Sequence, residues 1–419
     1  MKPLSVILDA RLQSGASGGV ESVVIGLASG LSSLTDSDER YRFLTYEGQD
    51  DWLGPFLAGP CSALPIAAPS APDARPAWRR AASRLTPRPL RRAARRVLRP
   101  TLPPPPSDGT IEAAGADLMH FTFQNGFLTA VPSIYHPHDL QHLHLPAYFD
   151  SEERRRREVW YRALCAQAAM VAVTSSATRA DVVEHYALPP DKVQVVPLAP
   201  VIGAYEPPGP AEARSLAARL GVPAAFALYP AQTWPHKNHL ALLDALALLR
   251  REQDLIVPLV CTGAHNAFFP TIARRAAELG LTDQVVFLGF VSPRELRALY
   301  ALARAVVVPS LFEAASAPLW EAFLAGVPAA CSNVTSLPAQ AGDAALVFDP
   351  HDVRGIADAV ARLWRDEPLR TALVERGALR VRAFTWDRTA RHFRAHYRRL
   401  TGRLLTDADR AVLAAPPLL

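Results

Sequence analysis

At 419 residues, with 49% hydrophobic and 8% aromatic content, the chain can bury more than one core, and its length favours two or three domains, two being the expected number. The formal charge is only +5, but the basic residues are clustered, so the local field matters more than the sum. Cys61, Cys165, Cys261 and Cys331 lie far apart without metal-ligand spacing, which fits a reduced cytosol, and no window of about twenty apolar residues is free of charge, so a spanning helix is not expected.

Met1 to Ala10 enters a strand pattern directly, without the charged region and apolar core of a signal peptide. Ser5 to Ala10 reads as a first buried strand, and Val20 to Leu34 has helical spacing. Between them, Gly18 and Gly19 stand at the mouth of that helix, where a backbone can approach an anion closely. Tyr41 to Tyr46 reads as a second strand. The segment 75–99 then holds ten arginines and no acid, interleaved with Trp78, Leu85, Leu90, Val97 and Leu98, and Pro103 to Pro106 close an insertion spanning 75–106. It reads either as a solvated insertion interrupted by Pro87 and Pro89, or as an interfacial element on an anionic membrane surface with Trp78 at headgroup level. No nucleic-acid module accompanies it.

Asp117 to Phe123 and Ser133 to Tyr135 read as strands, leading into a loop with four histidines from His136 to His144. Their spacing lacks the acid partner or helical pairing of a zinc pattern, so no metal is expected. Ser151 to Ala169 reads as a helix whose Glu152–Glu158 run is a solvated face. Met170 to Thr174 is a strand, Ser175 or Ser176 caps the next helix, and Val193 to Pro197 ends this half. The Pro- and Gly-rich stretch from Pro200 marks a linker, placed at 200–214. Phe226 onward restarts the strand, loop and helix pattern, with Lys237 at a helix entrance where a diphosphate would lie. Ile256 to Gly263, Val285 to Phe290 and Ala305 to Pro309 continue the alternation, which makes a parallel sheet.

The stretch from Val308 to Pro328 then holds Glu313 and Glu321, with seven residues between them, Pro318 among these. A strand, a short loop and a helix put Glu313 above the strand end and Glu321 in the first turns of the helix, with backbone amides between them. Pro-Ser-x-x-Glu-x7-Glu-Ala-x-x-Ala-Gly-x-Pro resembles the donor-site motif of retaining glycosyltransferases of family 4, which have the GT-B fold. Ala314, Ala315 and Ser316 stand where that family commonly has Gly, Phe and Gly, and Ala231 stands where some members have an arginine six residues before the lysine.

The resemblance implies an α/β protein of two Rossmann-like domains facing a cleft: an acceptor domain over 1–199, a nucleotide-sugar domain over 215–385, and a C-terminal helix in 386–419 that returns to the first domain. It implies transfer of a hexose, mannose favoured, from a GDP- or UDP-type sugar, with retention and no cofactor or metal. On it, Glu313 contacts donor sugar hydroxyls, Glu321 the ribose, and Lys237 with the Ser316, Ala317 and Pro318 amides the diphosphate. Val291 holds the base, His138 of His-Asp-Leu-x5-Pro-x-x-Phe lies beside the donor sugar with Asp139 orienting it or bonding the loop, and Gly18 and Gly19 face the donor phosphates or the acceptor. The expected acceptor is a glycan or lipid-linked saccharide for cell-surface polysaccharide, and the expected place is the cytoplasm, peripheral to the inner face of the membrane. The rival reading is a catalytically silent binding partner that keeps the fold.

Overall fold

The computed structural model describes residues 2–12, 19–68 and 101–419. Gly18 and the arginine-rich 75–99 therefore lie outside the described residues. Strands β1 (Ser5–Asp9), β2 (Arg40–Tyr46), β3 (Cys61–Ile66), β4 (Leu118–Phe121), β5 (Ser133–Tyr135), β6 (Met170–Val173) and β7 (Val193–Val195) form one sheet in the order β3-β2-β1-β4-β5-β6-β7. A second sheet follows from β8 (Ala227–Pro230), β9 (Leu259–Thr262), β10 (Val285–Phe287), β11 (Ala305–Val308), β12 (Ala329–Ser332) and β13 (Ala345–Phe348), in the order β10-β9-β8-β11-β12-β13. Every pairing is parallel.

Short apolar runs such as Val306-Val307-Val308 sit at 0 to 1% exposure because helices cover both faces of a parallel sheet. In each sheet the order reverses once, between β1 and β4 and between β8 and β11. At such a switch point the adjoining loops diverge and leave a crevice beyond the strands' carboxyl ends. Of the expected site residues that are described, Gly19, Lys237, Glu313, Ser316, Ala317, Pro318 and Glu321 follow the strands at those two switch points, while His138 follows β5 and Val291 follows β10.

Three strands, β3, β12 and β13, fall outside the expected set. β3 contains Pro65, which weakens its strand signal, but β3 is an edge strand, where a missing N–H is tolerated. β12 reads Ala-Ala-Cys-Ser and lacks β-branched residues; burial between β11 and β13 makes it a strand.

Helices around the two sheets include α1 (Gly19–Ser32), α2 (Ser151–Gln167), α3 (Ser176–Tyr186), α4 (Pro210–Arg219), α5 (His239–Gln253), α6 (Pro293–Leu302), α7 (Ala317–Ala325) and α8 (Trp386–Leu400), of which α1, α2, α6, α7 and α8 reach the cleft. Ser175, not Ser176, caps α3, its hydroxyl accepting from the Thr178 amide. The expected 200–214 linker is not loop throughout. It contains a short turn over Val201–Ala204, and α4 begins at Pro210, whose fixed φ suits a first helical position. The closing region is likewise not a single helix, since Asp407–Ala414 forms another after α8.

α8 lies against α1 through a glycine notch. A Cβ on Gly26 would overlap the Trp386 ring, and one on Gly30 would overlap the Trp386 carbonyl. Further along, Thr389 donates to the Pro197 carbonyl at 2.8 Å, and Tyr397 OH lies 2.7 Å from His120 Nδ1. Arg398 reaches both Glu39 and Asp409, at 2.6 and 2.7 Å. Ala390, Phe393 and Tyr397 thereby become part of the first domain's core.

Candidate active site

Two cavities, of about 710 and 450 Å³, open between the switch points and share Gly19, Lys237, Glu313 and Ala317 in their walls. The larger extends toward His138, Asp139 and Arg157 of the first domain. The smaller extends toward Val291, Glu321 and Gly263 of the second.

Lys237 is the centre of the shared wall. Its Nζ donates to Glu313 Oε1 at 2.6 Å, and Ser310 Oγ donates to the same oxygen at 2.6 Å. The lysine and glutamate side chains are 19% and 10% exposed, so the ion pair is largely withdrawn from water. Its supports are rigid. Tyr229 OH donates to the Lys237 carbonyl, and Asn238, in the left-handed region at φ 58°, donates from Nδ2 to the carbonyls of Pro309 and Pro350. The Leu311 amide donates to the His236 carbonyl, which ties the loop after β8 to the loop after β11.

Glu321 is buried on α7, and Tyr300 OH donates to its Oε2 at 2.8 Å. Burial pushes its carboxyl pKa up to about 7, against the opposing bond from Tyr300 and the nearby Arg297 charge. Val291 lies half-buried in the same cavity wall, beside the exposed Phe290. Gly263, at φ 108°, lets the strand end pass the loop after β8, because a Cβ there would meet the Ala231 carbonyl at 2.6 Å.

The expected diphosphate cradle needs correction. Pro318 has no N–H, and the Ser316 amide already donates to Gln340 Oε1 at 2.9 Å while Gln340 Nε2 donates back to the Ser316 carbonyl. Of the three, Ala317 is the exposed residue and opens α7 with an N–H that has no partner among the described residues. Gly19 opens α1 opposite it, with nothing within 4 Å of the place a Cβ would take.

His138 stands in the first-domain wall of the larger cavity. Its backbone is left-handed at φ 61°, and its Nε2 lies 3.0 Å from the Thr122 carbonyl. A carbonyl only accepts, so Nε2 carries the proton; burial lowers the imidazole pKa, which leaves the ring neutral with Nδ1 as its acceptor. Asp139 serves the loop instead of the imidazole, since its carboxylate accepts from the Gln141 amide at 3.0 Å. The other histidines scatter. His136 bonds His120 in the core, His142 packs against Tyr161, and His144 meets Asp181.

Three functional groups had no role in the sequence reading. Tyr300 and Gln340 lie far from the motif in sequence and carry no local signal. Arg157 sits in a run read as a solvated helix face, whereas its side chain is only 22% exposed and lines the cleft. Its i,i+4 spacing from Glu153 was the available cue.

Two parallel-sheet domains that close their switch points on one cleft form the GT-B architecture. A sucrose-phosphate synthase from Thermosynechococcus elongatus superposes with a TM-score of 0.69 at 21% identity, over 95% of this chain and 99% of that one. The Anabaena protein HepE in complex with UDP and glucose superposes at 0.68 and 17% identity, over 94% and 99%. The glycosyltransferase family 4 model matches residues 17–199, and the glycosyl transferases group 1 model residues 219–380. The chain thus belongs with the GT-B glycosyltransferases of the family 4 type.

Among curated relatives, the O-antigen chain mannosyltransferase B of Escherichia coli is 31% identical over 252 residues, 60% of this chain and 66% of that protein. A D-inositol 3-phosphate glycosyltransferase of Corynebacterium efficiens is 30% identical over 260 residues, 60% of this chain and 61% of that protein. The matched stretch therefore spans a little under two thirds of these relatives' length.

Proposed function

We propose that this protein transfers a hexose, mannose favoured, from a nucleotide-diphosphate sugar to a glycan or lipid-linked saccharide, with retention at the anomeric carbon and without a metal ion. The observation that carries the reading is the Lys237–Glu313 pair at the junction of the two cavities. A sugar's hydroxyls bound there would compete for the Glu313 carboxylate and free Lys237 to meet the departing diphosphate. The Ala317 amide and the α1 entrance at Gly19 add positive ends on either side. Glu321, beside Tyr300, would accept from ribose hydroxyls, and His138, with Nε2 on the Thr122 carbonyl, would accept from a sugar hydroxyl through Nδ1.

Retention is the expected outcome of transfer on one face. Glu313 is clamped by a lysine and a serine, which makes it a poor nucleophile, and Asp139 is occupied with its own loop. The leaving diphosphate oxygen then takes the acceptor proton. The mannosyltransferase names among the relatives support the sugar and, with the O-antigen relative, an acceptor in cell-surface polysaccharide.

Among the described residues no helix is long and apolar enough to cross a membrane. We assign contact with the inner membrane face to 75–99, from its ten arginines. Replacing them should abolish vesicle flotation while nucleotide binding persists; equal flotation before and after would reject that contact.

The direct test is binding and slow hydrolysis of GDP-, UDP-, dTDP- and ADP-sugars by the native protein, Glu321→Ala and Lys237→Ala. One donor should bind and be hydrolysed, and each substitution should weaken it by about 1–3 kcal/mol, as loss of a charge-assisted bond does. Binding without turnover, even with acceptor glycans present, would establish the silent partner instead, and no binding at all would reject both.

A further inference from the structure

We infer that Arg157 binds an oxyanion on the acceptor substrate, so that the acceptor of this site is an anionic saccharide. The inference rests on the transferase reading above and names the substrate class of its acceptor side.

Of the cations that line the cleft among the described residues, Lys237 borders both cavities, whereas Arg157 borders only the larger one. The donor's diphosphate belongs where the cavities join, beside Lys237 and Ala317. Arg157 therefore stands beyond the donor sugar, on the side from which an acceptor enters. It approaches from the first domain and its charge is felt both by Asp139, next to His138, and by His236, next to Lys237.

The side chain is held ready for a ligand. Its Nε donates to Glu153 Oε1 at 2.8 Å, and its guanidinium lies over the Phe149 ring at 4.7 Å. Those two contacts fix the plane of the fork. Among the described residues, neither terminal nitrogen donates to a protein acceptor, neither is a buried orphan, and the residue lines the larger cavity. Glu153 cannot neutralise it alone, because the same carboxylate also takes Arg156 through two bonds, at 2.9 and 3.0 Å. One carboxylate is thus shared between two guanidiniums, while Asp139 and Asp150 also line this wall.

Two free N–H groups in one fixed plane match the paired oxygens of a phosphate or a carboxylate. The aromatic face of Phe149 and the exposed ring of Tyr148, in the same wall, fit the apolar face of a sugar ring that carries such a group. A sugar phosphate and a uronic acid share this chemistry and are separated by the test.

The full chain is titrated calorimetrically with mannose 1-phosphate, methyl glucuronide and methyl mannoside, each with and without a saturating nucleoside diphosphate. The native protein should bind one of the anionic probes at least ten times more tightly than the neutral mannoside with the nucleotide site filled. Arg157→Gln should reduce that preference to less than twofold, Arg157→Lys should retain part of it, and nucleotide affinity and melting temperature should stay unchanged in both. Whichever anionic probe is preferred identifies the oxyanion. The inference is overturned if the native protein shows no preference, if Arg157→Gln keeps it, or if that variant loses nucleotide affinity in parallel, which would assign Arg157 to the donor diphosphate. Failure of nucleotide binding in the native protein would reject the transferase reading alone, and the probe titrations without nucleotide would still decide the role of Arg157.

Discussion

The two walls of the cleft are built on opposite principles. On the second domain, the lysine, both motif glutamates and the loops that carry them are bonded to one another: Lys237 with Glu313 and Ser310, Glu321 with Tyr300, Ser316 with Gln340. On the first domain, His138 and Arg157 each spend one nitrogen on the protein and leave the rest of their hydrogen-bonding capacity toward the cavity. A wall whose polar groups satisfy each other is rigid before any ligand arrives and costs little ordering on binding. A wall with open groups takes its selectivity from whatever fills them. On the proposed function, the second-domain wall would set how strongly a nucleotide sugar is held, and the first-domain wall what is glycosylated.

The hardest way to break this contrast is to remove Glu313. Glu313→Ala leaves Lys237 and Ser310 without their shared acceptor in a largely buried place, and should lower stability by about 3 kcal/mol as well as donor affinity, read by thermal melting and calorimetry. If melting is unchanged, the donor wall is not self-supporting and the comparison fails.

Glu321 sharpens it through pH. Its folded pKa of about 7 lies above the ordinary carboxyl value of 4.5, so the native state holds a proton that the unfolded chain releases. Stability should therefore fall as pH rises from about 4.5 to 7 and level off above, by a total on the order of 3 kcal/mol. Glu321→Gln, which has no proton to lose, should flatten that slope in urea melts followed across the range. A slope equal in both proteins would place the titration elsewhere.

The smallest effect on stability belongs to the acceptor wall. His138→Asn keeps a residue that tolerates the left-handed backbone, so melting should shift by less than about 1 kcal/mol equivalent while transfer falls at least tenfold at unchanged donor affinity. Loss of donor affinity in this variant would mean that the two walls are not separable.

Much of this was legible from residue order alone. Alternating buried runs and helical segments give parallel sheets wherever they occur, and the Glu313–Glu321 spacing placed both acids at a strand end and a helix start. Lys237 at a helix mouth was readable for the same reason. What stayed hidden depended on pairing across the chain. Gln340 occupies the Ser316 amide from 24 residues away, which no local pattern announces; with Pro318 lacking an N–H, one amide of the expected three is left. Arg157 looked like its neighbours Arg154 and Arg155 in the sequence; the curvature of the cleft distinguishes them. β12 shows the complementary case, a strand made by its neighbours instead of by its own residues.

The glycine notch between α1 and α8 has a consequence for biosynthesis. Ala390, Phe393 and Tyr397 complete the core built by β1, β2, β4 and α1, yet they follow the whole second domain in the chain. A ribosome that has finished residue 199 has made every strand of the first sheet but not the side chains that cover one of its faces. The amino-terminal half must therefore wait, with an apolar surface exposed, until about two hundred further residues emerge, and cutting the gene at the linker would release a half that lacks part of its own interior.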